Sequence, residues 1–170
     1  MIFRGALNNY PGIRNWIGSQ SVWKEILGTI VGEALGGQKR RLGRFLFARR
    51  IAEFKTKVQT LVQGLQANGD ADITFHVIAG LAGGTGSGSI VDVLAQLRNA
   101  YTDSRRYRIM PYLLLPDQYP STNWDTGNYH ANSFAALTEI NALSTGAYKP
   151  VDVSTGSQID RKDMLNGAYK

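Results

Sequence analysis

The sequence predicts an α/β fold built on a parallel sheet, and three observations predict it. A short β-branched apolar run, Ile73 to Ile78, leads into a glycine-rich stretch, Ala79 to Ser89. An apolar-periodic run, Ile90 to Leu97, follows, and a second apolar run lies at Tyr107 to Leu115. Strand, helix and strand in this order form a βαβ unit, whose crossover is right-handed and whose ligands sit beyond the carboxyl ends of the strands. Both the glycine stretch and the Pro116 to Asn128 loop emerge at that edge.

In order along the chain, Asn8-Asn9-Tyr10-Pro11-Gly12 is turn chemistry with no strand before it. From Val22, apolar residues recur in pairs every four (Val22, Trp23, Ile26, Leu27, Ile30, Val31, Ala34, Leu35), which predicts an amphipathic helix capped at Gly36-Gly37. Phe45, Ala48, Ala52, Val58, Leu61, Val62 and Leu65 keep helical spacing, which predicts one helix over Leu42 to Ala67. The run at Ile73 reads as a strand buried on both faces, with His76 as a hydrogen-bonded core residue. The helix after the glycines is expected to begin at Ser87 to Ser89 and to end near Asn99. Tyr129 to Leu143 reads as a helix with Phe134, Leu137, Ile140 and Leu143 on its inner side and Thr126 or Asn128 as its cap. Beyond Ser144 the periodicity fades, so residues 144–170 are expected to be an irregular insertion or a loose end.

Composition bounds the function. The chain has 170 residues, 43% of them hydrophobic, enough for one domain with a real core. It has no cysteine, which removes disulfides and thiolate metal sites. No apolar run approaches the roughly 20 residues that span a bilayer, and a cytoplasmic protein is expected. The net charge of +6 is concentrated, because Lys39, Arg40, Arg41, Arg44, Arg49, Arg50, Lys55 and Lys57 fall within 19 residues. This block could meet nucleic acid, an acidic partner or a membrane surface, line one side of a nucleotide site, or be a solvated helix face. Nucleic acid is the weakest of these, since Phe45, Phe47 and Phe54 suit a core better than a stacking platform.

The chemistry is expected in the glycine stretch. Gly80, Gly83, Gly84, Gly86 and Gly88 lack a Cβ, so several backbone N–H groups can converge on an anion, and the helix that follows turns its positive end to the same spot. Thr85, Ser87 and Ser89 add hydroxyls. The alternative reading is a tight strand-to-helix turn with no ligand. Two common phosphate motifs fail here. The P-loop requires Gly-Lys-Ser/Thr, and no lysine occurs between Lys57 and Lys149; the dinucleotide fingerprint would need a glycine at Ser89 and an acid about 20 residues further on.

The string Gly83-Gly84-Thr85-Gly86-Ser87-Gly88 resembles the tubulin and FtsZ signature G-G-G-T-G-S/T-G, with Ala82 in place of the first glycine. Upstream, Gly36-Gly37-Gln38-Lys39-Arg40-Arg41 resembles the family's loop at the terminal phosphate, where basic residues would have a role. Downstream, Asn132-Ser133 sits where tubulins carry Asn-Ser at the start of a ribose-side helix, although Tyr129 stands where tubulins place an acid. The likeness is to bacterial tubulin-like proteins and covers Gly36 to Leu143. It implies a three-layer α/β/α Rossmann-like parallel sheet of the tubulin/FtsZ nucleotide-binding type, incomplete in this chain. The organisation expected is a helical segment over 1–35, the central part of a nucleotide domain over 36–143, and the irregular 144–170. The family's first strand and phosphate loop have no counterpart before Leu35, nor its later central helix after Leu143, so a fragment or truncated product is expected.

The resemblance implies GTP as the ligand, with or without Mg²⁺, held by Gly36, Gly37, Gln38, Gly80, Ala82, Gly83, Gly84, Thr85, Gly86, Ser87, Gly88 and Asn132. In a full-length form it implies head-to-tail self-association and GTP hydrolysis between subunits. The other function open to the chain is that of a non-hydrolysing scaffold that kept the fold. No catalytic residue is expected here: Asp92 lies a full turn inside its helix and Glu139 on a helix surface. No metal ligand is expected either.

Overall fold

The computed structural model describes residues 11–14, 16, 38–69, 71–160 and 164–165. The helix expected over Val22 to Leu35, together with Gly36 and Gly37, lies outside the described residues. A single helical turn, α1 (Pro11–Arg14), precedes helix α2 (Arg40–Arg49) and helix α3 (Ile51–Ala67). Then come strand β1 (Ile73–Gly80), helix α4 (Gly84–Ala100), strand β2 (Tyr107–Leu114) and helix α5 (Tyr129–Ser144).

The expected βαβ unit is present. β1 and β2 pair in parallel from Ile73 opposite Tyr107 to Gly80 opposite Leu114, and α4 crosses between them. On one face of the sheet Ile73, Phe75 and Val77 turn towards α4, whose Ile90, Leu94 and Ala95 are buried. Ile109 of β2 and Ala136, Ile140 and Leu143 of α5 complete this core. A second cluster joins Leu42, Phe45 and Ala48 of α2 to Ile13, Ile51 and Val153.

Several expectations are corrected. The helix over Leu42 to Ala67 is two helices, because Arg50 leaves helical geometry (φ −105°, ψ 16°). One non-helical residue between Ala48 and Ile51 leaves the apolar spacing intact, so periodicity could not reveal the break. β1 is not buried on both faces: among the described residues nothing covers Thr74, His76 and Ile78, and Ile78 is 70% exposed. His76 is accordingly no core residue; its ring stacks on Tyr112 and its Nδ1 lies 3.0 Å from the Tyr112 hydroxyl.

α4 begins at Gly84, a full turn before the expected start. Glycine disfavours helix, but here its missing Cβ lets the helix press against neighbouring backbone, and packing overrides propensity. α5 buries Tyr129, Asn132, Ser133, Ala136, Ile140 and Leu143, while Phe134 is 75% exposed. Asn128 is the residue before the helix, one of the two expected caps, but its side chain makes no capping bond; Asp125 Oδ1 instead accepts the N–H groups of Gly127 (2.7 Å) and Tyr129 (3.4 Å).

After α5 the chain is irregular apart from one antiparallel bridge, Val151 with Gln158. It is nevertheless packed rather than loose, since Val153, Ile159 and Met164 are buried. Asp152 is its anchor. Its carboxylate accepts from Lys55 Nζ (3.1 Å), from Asn99 Nδ2 (3.2 Å) and from the Ser154 N–H (2.8 Å) and hydroxyl. Burial alone would raise its pKa; the Ser154 hydroxyl and N–H, then Lys55, outweigh burial and hold the carboxyl below its ordinary value.

Candidate functional site: the start of α4

Three backbone segments converge at the start of α4: the β1–α4 turn, the segment at Gln38 and Lys39, and the loop after β2. The parallel sheet brings the first and third to one edge. The turn itself is short, Leu81 to Gly83, with Leu81 fully buried as its pin.

The glycines divide into two sets. A Cβ on Gly84 would lie 2.7 Å from the Lys39 backbone, one on Gly86 2.2 Å from the Gly80 carbonyl oxygen, and one on Gly88 2.2 Å from the Arg40 carbonyl oxygen. The reverse contact is as tight, since a Cβ on Gly43 of α2 would lie 2.1 Å from the Gly84 carbonyl oxygen. These glycines let α2 and the end of β1 rest directly on α4's backbone. Gly80 and Gly83, by contrast, have nothing within 4 Å of such a Cβ.

The serines are inward too. The Ser87 hydroxyl donates to the Gly83 carbonyl and Ser89 donates to the Thr85 carbonyl (2.7 Å), so both are spent inside the helix. Thr85 is exposed.

Gly83 is the residue before the helix and no side chain caps the amides that follow. The first amides of an α-helix have no acceptor within the helix and carry the positive end of its dipole. Gly83, Gly84 and Thr85 line a hollow of about 410 Å³, closed on its other sides by Gln38, Lys39, Leu42, Asn123, Trp124 and Thr126. A phosphate group fits this chemistry and this volume.

Gln38 and Asn132 bind the converging segments together. Gln38 takes a left-handed backbone conformation (φ 48°), uncommon for a residue with a side chain. Its Nε2 donates to the Trp124 carbonyl, and its Oε1 accepts from Thr126 Oγ1 (3.0 Å) and N (3.3 Å). Asn132 is buried and its Nδ2 donates to the carbonyls of Gln38 (2.7 Å) and Ala82 (3.0 Å). The Tyr129 hydroxyl accepts the Asp117 N–H (3.3 Å).

Two of the basic residues near the turn, Arg40 and Arg44, are structural. Arg44 holds both oxygens of the buried Asp92 (2.6 and 2.8 Å), and Arg40 holds Glu139 and the Ser87 carbonyl (2.9 Å). These bonds clamp α2 onto α4 and α5. Neither Asp92 nor Glu139 is therefore a free carboxylate, and no cluster of three metal-ligating side chains exists among the described residues.

A family model described as tubulin like matches residues 2–169. The chain belongs to this tubulin-like family. The match runs well past Gly36 to Leu143, so both flanks of the tubulin-like chain are family sequence. No curated protein and no solved structure matches it.

Of the twelve expected site residues, the structure gathers Gln38, Gly83, Gly84 and Thr85 around the hollow, with Asn132 and Ala82 bonded behind it. It places Gly80 at the end of β1, and Gly86, Ser87 and Gly88 on the packed side. Gly36 and Gly37 lie outside the described residues. Sequence reasoning named Lys39 within the Gly36 to Arg41 loop and Thr126 only as a helix cap, and it missed Asn123 and Trp124. It also missed Gly43, although a lone glycine inside the helical stretch Arg40 to Arg49 is itself a sign of close backbone approach.

Proposed function

We propose that this tubulin-like chain binds GTP, holds its phosphates at the start of α4, and acts as a cytoskeletal GTPase that assembles head to tail. The observation that carries the reading is the uncapped start of α4 opening onto a hollow of about 410 Å³. In this reading the amides of Gly83 to Gly86 receive phosphate oxygens and the Thr85 hydroxyl adds a donor at the rim. Gln38 keeps the opposite wall in place, and Gly36 and Gly37 close on the terminal phosphate. Asn132 fixes the geometry of both loops rather than reading the sugar, because both of its N–H donors are already used.

Bound GTP with its Mg²⁺ would bring the reacting phosphoryl group and its charge neutralisation. The chain's own contribution is preorganised electrostatic stabilisation by fixed amides. No residue is assigned as base, since Asp92 and Glu139 are both ion-paired. A cytoplasmic setting accords with this reading, and no described helix is long and apolar enough to cross a membrane.

The second reading is a scaffold that kept the fold without turnover, and the engaged side chains of Gln38 and Tyr129 favour it. Calorimetric titration with GTP, paired with light scattering, separates the two. Saturable heat that is lost in Thr85→Arg, together with scattering that rises with GTP, supports the first reading. Binding without scattering leaves a nucleotide-holding scaffold, and the absence of saturable heat removes GTP binding.

A further inference from the structure

A second hollow, of about 440 Å³, lies on the other side of α2 from the glycine turn. Arg40, Arg41 and Arg44 line it from α2, together with Trp16, Glu139 and Tyr148. Two of the three guanidiniums are already committed. Arg40 is paired with Glu139, and Arg44 is paired with Asp92 and sits 4.4 Å from the centroid of the Trp16 ring. Arg41 is exposed and has no ion pair among the described residues. With Glu139 and Asp92 offsetting two of the three arginines, the hollow keeps one net positive charge at Arg41.

The Trp16 indole Nε1–H is shielded from solvent and has no acceptor among the described residues, so it lies behind the wall of the hollow and not in it. Trp16 and Tyr148 add aromatic rings to the lining, one face of Trp16 being covered by the Arg44 guanidinium, and such a wall of guanidinium and aromatic groups suits a flat guest. The volume is that of a small-molecule site.

We propose that this hollow binds a small organic anion with a planar body. Its carboxylate or phosphate oxygens meet Arg41, and its ring lies against Trp16 and Tyr148. The site is distinct from the hollow at the start of α4, because α2 stands between them: Lys39, Leu42 and Gly43 face one and Arg40, Arg41 and Arg44 the other. It does not depend on the proposed GTP binding.

The test is calorimetric titration of the whole chain with phenyl phosphate, without and with GTP, repeated with benzoate and with inorganic phosphate. One equivalent of phenyl phosphate or benzoate should bind saturably, and inorganic phosphate should bind more weakly. Arg41→Gln, on the exposed side of α2, should weaken binding about tenfold by removing a charge-assisted bond. Trp16→Phe should weaken it less, with the circular dichroism spectrum unchanged. Absence of saturable heat, equal affinity for inorganic phosphate, displacement by GTP, or unchanged affinity in Arg41→Gln would each overturn the proposal.

Discussion

The two sides of α4's first turns use the same residue type for opposite purposes. On the side turned to α2 and β1, Gly84, Gly86 and Gly88 are pressed against backbone, and any side chain there would collide with a carbonyl or an amide. On the side turned to solvent, Gly83 meets nothing and the helix amides beyond it are left without a cap; Gly80, at the end of β1, also has open space where a side chain would stand. One side is glycine because a neighbour is too close; the other has open space, which the proposed function fills with a guest. A stability assay should see the first set, and a binding assay the second.

The largest effect should come from unclamping the pressed side. Asp92 is fully buried with both oxygens on Arg44. Asp92→Ala leaves the guanidinium without its partner and should cost about 3 kcal/mol in urea unfolding. A loss under ~0.5 kcal/mol would mean that Arg44 finds water as readily as it found the carboxylate.

Next comes a paired substitution within the glycines. Gly88→Ala drives a methyl into the Arg40 carbonyl and should destabilise by on the order of 3 kcal/mol. Gly80→Ala meets open space and should stay within about 0.5 kcal/mol of the parent. Equal costs at the two positions would erase the distinction between the sides.

A smaller effect, away from the turn, tests whether the irregular segment anchored by Asp152 belongs to the same cooperative unit. Its carboxyl pKa is lowered in the folded state, so the stability it adds is complete above the unfolded value near 3.9 and is lost as pH falls through the folded value. Asp152→Asn should therefore lower stability at neutral pH and flatten the fall between about pH 4 and the folded pKa, read from urea midpoints across that range. An acid limb identical to the parent's would place the segment outside the cooperative unit.

Much of this was legible in the sequence, and the illegible part shares one cause. The βαβ unit could be read because a β-branched run, glycines and a periodic apolar run are local patterns, and so could the place of α5. The start of α4 could not, because helix geometry at Gly84 to Ser87 depends on Lys39, Arg40 and Gly80, which only the fold brings near. The Arg44–Asp92 pair spans 48 residues and left no trace in spacing. The roles of Gln38 and Asn132 were hidden for the same reason: as fasteners between loops they depend on carbonyls contributed from elsewhere. Sequence similarity indicated which stretch matters; the coordinates separate the glycines that pack from those that leave room.

The most direct measurement is GTP affinity together with melting temperature in Gly83→Asp. Gly83 has extended geometry (φ −80°, ψ 168°) and open space around it, and aspartate is a favoured residue before a helix. The new carboxylate would cap the free amides and put a negative charge at the proposed phosphate position. The account predicts a melting temperature equal to or above the parent's, with GTP binding lost. Parental GTP affinity in a protein that has gained the cap would contradict it.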